Sequence, residues 1–421
     1  MNRISYKYNI LTPIGIIAPL FCIVIGVPEN ASSMQIGKTT TAIASITLSA
    51  ENDDNIYFSS GLEGDKDQVE SDILLHAIPN FLLSNTYNDH LFFFNVTSDY
   101  RYGIDSNLSD INVNTAVGTE LYFPGGLSLG LSDIYSKTEF DQDIGAQAGI
   151  GDNQDNVLAM NAEYTLRDFL RMQGKYNHIW KEFFEEGNSP SSEVNIDNVE
   201  GTFAIPFSTR LRGYVTGFVE TQESEPESKL DYDDIKYLTG IRYVAPARFS
   251  CWLQGGYEEY DYEAENEDTS EVIGEAGVET RLTENNFLVF SLGRDGYGNL
   301  TLSGKATQTI RDKLDITLTA DKSTRKSFID TEPGVTYDVT ELGLSFTTKF
   351  LERITARLEG DYQQQESQNS FETWRAKASL DYPIQDWIKA GTHYQYAIRT
   401  SDDADQEYED NRIGLFVTLS L

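Results

Sequence analysis

Two interleaved regularities constrain this chain more than any other feature. From about Asp54 to Leu421, segments of roughly ten to fourteen residues alternate apolar and polar side chains, the period of a half-buried β-strand. The connections between them alternate as well. Tight ones fall at Thr86-Tyr87-Asn88-Asp89, Pro124-Gly125-Gly126, Arg167-Asp168, Pro206-Phe207-Ser208, Pro246-Ala247-Arg248, Thr283-Glu284-Asn285-Asn286, Arg311-Asp312-Lys313, Leu351-Glu352-Arg353 and Gln385-Asp386. Between these lie mostly longer stretches rich in Asp, Glu, Ser and Gly, around 63–70, 103–108, 138–154, 181–193, 222–232, 263–269, 295–298, 326–334, 365–370 and 400–409.

Strict short–long alternation is the habit of transmembrane barrels, with short periplasmic turns and longer outer loops. The count predicts a single all-β, antiparallel, up-and-down barrel of about twenty strands with both termini periplasmic. Eighteen is the alternative, because the segments near 55–62 and 108–136 alternate less regularly. The stretch 166–186 could pass for a helix, but Leu170, Met172, Gly174 and Tyr176 alternate with Arg171, Gln173, Lys175 and Asn177, which is period two.

A soluble sandwich also alternates. Its strands usually run about five or six residues, shorter than these, and its turns do not alternate in length. Aromatics also gather at segment ends: Tyr243 and Phe249 flank one short turn, Tyr382 and Trp387 another, and Tyr257, Tyr260 and Tyr262 lie near a long loop. The chain holds 24 Tyr and 22 Phe against 4 Met and 4 Trp, a balance that suits strands and interfacial girdles.

The amino terminus reads as an export signal. Arg3 and Lys7 precede an uncharged, mostly apolar run from Ile10 to Val27, broken by Pro13 and Pro19 and short for a spanning helix. A second signal-like stretch follows, with Met34 and Lys38 ahead of Thr39 to Ala50. The reading therefore assigns 1–50 to a signal peptide and processing region and 51–421 to the barrel. Cys22 lacks the small residue that precedes a lipoprotein cysteine, and Cys251 alone remains beyond residue 50, so no intrachain disulfide is expected. No apolar run long enough for a spanning helix occurs in 51–421. The net charge of −35 argues against a nucleic-acid partner.

The alternation also assigns faces. Leu314, Ile316, Leu318 and Ala320 share one side and Asp315, Thr317, Thr319 and Asp321 the other; Ile354, Ala356, Leu358, Gly360 and Tyr362 alternate with Thr355, Arg357, Glu359 and Asp361. Trp374, Ala376, Ala378 and Leu380 alternate in the same way with Arg375, Lys377, Ser379 and Asp381. Turning several such charges toward lipid would cost on the order of 10–20 kcal/mol, at roughly 2–4 kcal/mol per midplane cation. That rivals the whole stability of a domain. The expected lumen therefore holds Arg101, Arg171, Lys175, Arg212, Lys236, Arg242, Lys305, Arg357, Arg375, Lys377, Lys389 and Arg412. Opposing them are Asp99, Glu120, Glu163, Glu200, Glu275, Glu279, Asp315, Asp321, Glu341, Glu359 and Asp361. The signs nearly balance, which suits a hydrated polar passenger; mutual pairing that holds the wall's shape is the plainer role for each charge.

Net negative charge falls mostly in the loops Glu223 to Asp234, Glu258 to Glu271 and Ser401 to Asp410. A solvated outer surface explains it, and divalent-cation bridging to lipopolysaccharide phosphates is the sharper reading; no loop has an ordered calcium-ligand spacing. Catalysis has little to stand on. His76, His90, His178 and His393 lie in no nucleophile motif, Gly-x-Ser-x-Gly is absent, and there is no phosphate loop or Cys/His cluster. No enzyme activity, metal or cofactor is expected. No plug-sized N-terminal domain is evident either, which argues against TonB-dependent transport.

Asp54-Asn55-Ile56-Tyr57, Ser71-Asp72 with Pro79, Asp133 and Tyr135, and Tyr408-Glu409-Asp410-Asn411-Arg412 before the last strand resemble the outer-membrane β-barrels found with bacterial exopolysaccharide-export systems. The resemblance implies a porin-like conduit or accessory barrel for a secreted polysaccharide, working with a periplasmic export protein. Outer-membrane lipids, lipopolysaccharide and the insertion machinery are the other implied partners. The chain departs from the outer-membrane pattern in ending on Leu421 rather than Phe, with Phe416 on the lumen parity. A general small-solute porin and a closed structural barrel are the alternatives.

Overall fold

The computed structural model describes residues 34–36, 38–55, 71–106, 109–138, 153–166, 169–183, 192–225, 231–245, 248–262, 269–311, 313–326, 336–350, 353–366, 370–402 and 407–420. Its strands are β1 Met34–Ile36, β2 Thr40–Asp53, β3 Asp72–Tyr87, β4 His90–Gly103, β5 Ser109–Phe123, β6 Leu127–Thr138 and β7 Asn153–Leu166. They continue as β8 Leu170–Phe183, β9 Ser192–Pro206, β10 Leu211–Glu225, β11 Tyr232–Ala245, β12 Phe249–Tyr262, β13 Thr269–Thr283 and β14 Asn286–Arg294. The rest are β15 Leu300–Ile310, β16 Leu314–Lys326, β17 Thr336–Phe350, β18 Ile354–Glu366, β19 Phe371–Gln385, β20 Ile388–Ser401 and β21 Tyr408–Ser420.

From β2 to β21 each strand pairs antiparallel with its sequence neighbours, and β2 pairs with β21 as well as with β3. That double pairing closes a 20-strand barrel, and closure removes the open edges that would otherwise invite aggregation. β1 is the extra strand. It pairs with β2 from Met34↔Ala42 to Ile36↔Thr40, beyond the point where β21 stops at Ser420↔Ser45. It thus continues the line of β21 and covers the part of the β2 edge that β21 leaves bare.

Every tight connection expected from the sequence falls between two strands here, so all lie at one end, termed below the turn end. The chemistry is local. Asn88 and Asp89 both adopt positive φ, 47° and 68°, the requirement of a two-residue type I′ hairpin. The opposite end, the loop end, carries the longer connections.

Two expectations change. The first concerns the start of the wall. Thr40–Asp53, placed above mainly in the processing region, forms β2 and seals the barrel, so the wall begins at Thr40 and not at Glu51. Its alternating Thr, Ser, Ala, Ile and Leu are as apolar as a signal, but they have period two. The second concerns the count, which reaches twenty with a different first strand: the segment 55–62 lies almost wholly outside the described residues, as does the signal assigned to the first residues.

The outward face follows the expected parity. Leu48, Val215, Leu253, Leu318, Leu358 and Leu415 are exposed on it. Aromatics border this belt on the same face, with Tyr87, Phe123, Tyr243, Phe249 and Tyr382 toward the turn end and Tyr102, Tyr237, Tyr257, Trp374 and Tyr394 toward the loop end. From Tyr382 to Trp374 the strand rises about 27 Å, or about 20 Å along an axis tilted by roughly 40°. That approaches the apolar height of roughly 25 Å known for membrane barrels. Outward charges such as Asp197, Asp233, Glu259 and Glu409 gather toward the loop end.

Candidate functional site: the inner face of the barrel

The other parity is concave. One cavity of 870 Å³ is lined by side chains from β8 through β13, and another of 250 Å³ by side chains from β2, β3, β4, β19, β20 and β21. The charged residues singled out from the sequence share this face by register. Many meet across neighbouring strands: Arg101 with Asp110 at 2.5 Å, Arg171 with Glu163 at 2.7 Å, Lys175 with Glu200 at 3.0 Å and Lys389 with Asp381 at 3.1 Å, while Arg242 on β11 reaches over β12 to Glu279 on β13 at 2.8 Å. Lys236 pairs with Glu258. Arg375 reaches Gln363 at 3.4 Å, and Glu359 lies directly opposite Lys377. Arg357, Glu359, Lys377 and His393 line a common recess. Asp315 accepts from Thr309 Oγ1 at 2.6 Å and Asp321 from Ser323 Oγ at 3.0 Å. For Arg212 and Lys305 no acidic partner occurs among the described residues.

The seam made by β2 adds residues that sequence reasoning left out. Arg412 Nε lies 3.1 Å from Asp53 and 2.8 Å from Asp410, and His393 Nε2 lies 2.5 Å from Glu51. Asp53 is directly opposite Arg412 in the register. The carboxylates of Asp53, Asp54 and Asp410 come within 4.8 Å of one another, an arrangement that could hold a cation. Arg412 already supplies positive charge to two of them. Nearby, Asp72 accepts from Ser106 Oγ and from the backbone N–H groups of Ile73, Asp105 and Ser106, fixing the chain where it leaves β4.

The two ends of this face differ. Toward the loop end its residues are buried: Leu74, Val194, Ile196, Ile273, Val339, Phe371 and Tyr408 among apolar ones, with Asp53, Glu258, Arg399 and Asp410 among charged ones. Arg399 lies over the rings of Phe371 and Tyr408, 4.3 and 5.2 Å from their centres. The short connection 295–299 turns inward, and Tyr297 stacks on Tyr260 at 4.7 Å between ring centres. Of these residues the sequence reading named Tyr260 and Tyr408, but neither as a buried inner-face residue, and it named none of the aliphatic ones. The available signal is an apolar side chain on the polar parity, as at Val194 and Ile196 beside Asn198 and Glu200.

Toward the turn end the face is open and hydrated, and its aromatic rings lie against glycines directly opposite. A Cβ at Gly277 would collide with the Trp252 ring, and one at Gly240 would come within 2.5 Å of Tyr214. Glu275 accepts from Trp252 Nε1 at 3.2 Å and from Gln254 Nε2 at 2.8 Å, while Gln254 Oε1 accepts from Tyr214 at 2.9 Å. One carboxylate thus locks both rings flat on the wall. The outward-facing histidine is separate: His178 Nδ1 lies 3.0 Å from Asp197, which also accepts from Tyr176 at 2.6 Å.

A closed antiparallel wall, apolar outside between two aromatic borders and charged inside, defines an outer-membrane β-barrel. Residues 300–421 match the family model described as "Putative beta-barrel porin 2". Among solved structures the fold is similar to the siderophore receptor PirA from Acinetobacter baumannii, with a TM-score of 0.52 and 9% identity over 92% of this chain and 81% of that one. It is likewise similar to the FrpB iron transporter from Neisseria meningitidis, with a TM-score of 0.54 and 7% identity over 92% and 82%. The copper transporter OprC matches with a TM-score of 0.51 and 9% identity over 92% and 81%. At such identities the likeness concerns the fold. No curated relative matches the chain.

Proposed function

We propose that this barrel is a passive, porin-like conduit through the outer membrane for a polar polymer, with secreted polysaccharide as the passenger. The supporting observation is the inner face toward the turn end: a water-facing surface of paired charges and hydroxyls around an 870 Å³ cavity, with aromatic rings laid flat on its wall. Flat rings flanked by hydrogen-bonding side chains suit sugars, which offer apolar ring faces and hydroxyl edges. In this reading both termini are periplasmic, the turn end receives the passenger from a periplasmic export protein, and the loop end faces outward among lipopolysaccharide. The export signal lies within residues 1–33 and is removed ahead of Met34, leaving β1 and β2 intact. The role is transport and not catalysis.

Two measurements test this together. Planar-bilayer recording is expected to give steps of stable conductance. Deleting the gene is expected to abolish secreted polysaccharide while small-solute uptake persists, and wild-type polysaccharide in the deletion strain would remove the proposal. A barrel shut at the loop end is the second reading, favoured by the burial of the inner face there; absent conductance with normal membrane assembly would select it. The long segment 138–154 lies almost wholly outside the described residues.

A further inference from the structure

The 870 Å³ cavity at the turn end has a marked bias of charge. Its lining includes Arg171, Arg212, Arg242, Arg248 and Arg281 against a single carboxylate, Glu279. Three of these arginines have acidic partners: Arg171 with Glu163, Arg242 with Glu279 and Arg248 with Glu284 at 3.2 Å. All three pairs remain well exposed, with 49%, 46% and 49% of the arginine side chains accessible. Arg281 rests over the Phe287 ring, 5.9 Å from its centre, and Arg212 has no acidic partner among the described residues. Two guanidiniums thus keep their hydrogen-bonding forks for a ligand, in a recess of a size that takes small molecules. Trp252 lines the same recess, flat over Gly277 with Arg242 5.7 Å from its ring centre, and so does Tyr214 over Gly240.

Free guanidiniums beside flat aromatic faces select a ligand with two properties: anionic oxygens that a planar fork can grip bidentately, and an apolar ring face that can stack. A sugar carrying a carboxylate has both. A neutral sugar would leave Arg212 and Arg281 without counter-charge, and an inorganic anion would leave the rings unused. Net acidity elsewhere on the chain, −35 in total, makes this basic recess a local exception and not a consequence of composition.

We infer that the turn-end cavity is a binding subsite for acidic saccharide, with Arg212 and Arg281 gripping the carboxylates and Trp252 and Tyr214 bearing the sugar rings. The inference deepens the conduit reading, since it names the chemistry of the passenger, and binding and conduction can be measured separately. Isothermal titration of the full, folded barrel in detergent with trigalacturonate, and with maltotriose as the neutral control, tests the subsite directly. Trigalacturonate is expected to bind, more weakly as salt is raised, with maltotriose at least about tenfold weaker. The double variant Arg212→Gln/Arg281→Gln is expected to lose about tenfold or more in trigalacturonate affinity while Arg212→Lys/Arg281→Lys retains part of it. Equal binding of the two sugars by the wild-type barrel would overturn the inference without recourse to any variant, and so would an unchanged affinity in the folded glutamine variant. Trigalacturonate binding in a barrel that conducts nothing would uphold the subsite and defeat the conduit, whereas conduction without acidic preference would do the reverse.

Discussion

The two ends of the inner face are built from the same residue types and do opposite things. At the loop end arginines are buried: the Arg412 side chain is 8% accessible between Asp53 and Asp410, and Arg399 is sandwiched by Phe371 and Tyr408. At the turn end Arg171 and Arg242 are 49% and 46% accessible beside Glu163 and Glu279. A charge pair shielded from water is strongly destabilised when one member is lost, whereas a hydrated pair contributes little. The loop-end pairs therefore hold the wall together, whereas the turn-end pairs contribute little to its stability.

Substitutions can break this contrast, and the largest effect belongs to the seam. Arg412→Ala leaves Asp53 and Asp410 buried without their counter-charge and should cost roughly 3–5 kcal/mol, read as a lower temperature for loss of the compact band on unheated gels. A matching loss in Arg171→Gln would erase the distinction between the ends. On the outer wall, Leu358→Arg should cost roughly 2–4 kcal/mol because the guanidinium would face lipid near mid-depth. Thr317→Arg, on the opposite parity, should leave folding nearly intact by the same assay. Next comes Tyr297→Ala, which removes a stacked pair worth about 0.5–1.5 kcal/mol; single-channel conductance should rise if the 295–299 connection narrows the loop end. The smallest stability effect is expected from Arg171→Gln, at most about 1 kcal/mol because its pair with Glu163 is exposed. Its readout is ion preference in asymmetric salt, which should shift away from anions.

Much of this was legible beforehand because strand parity is a local property. Leu314 and Asp315, Leu358 and Arg357, Trp374 and Arg375 fall on opposite sides from spacing alone, and positions such as Asn88-Asp89 carry their own turn chemistry. Arg212 and Arg242 could be assigned to the inner side for the same reason, but not to a common recess. That juxtaposition joins β8 through β13 and depends on barrel curvature. The buried apolar residues of the loop end were missed for a similar cause: Val194 and Leu74 stand out locally only as apolar side chains on the polar parity, and what covers them is decided by distant strands.

The sequence by itself determined the period-two strands, the rhythm of turns and loops, and the side of the wall each charge takes, because each follows from neighbours a few residues away and from the cost of charge in lipid. Only the tertiary structure decided that Thr40–Asp53 is a wall strand, that Asp53 meets Arg412, and that five arginines share one cavity. Those facts are set by closure, which pairs the beginning of the barrel with its end hundreds of residues later, and by curvature, which brings non-adjacent strands to a shared hollow.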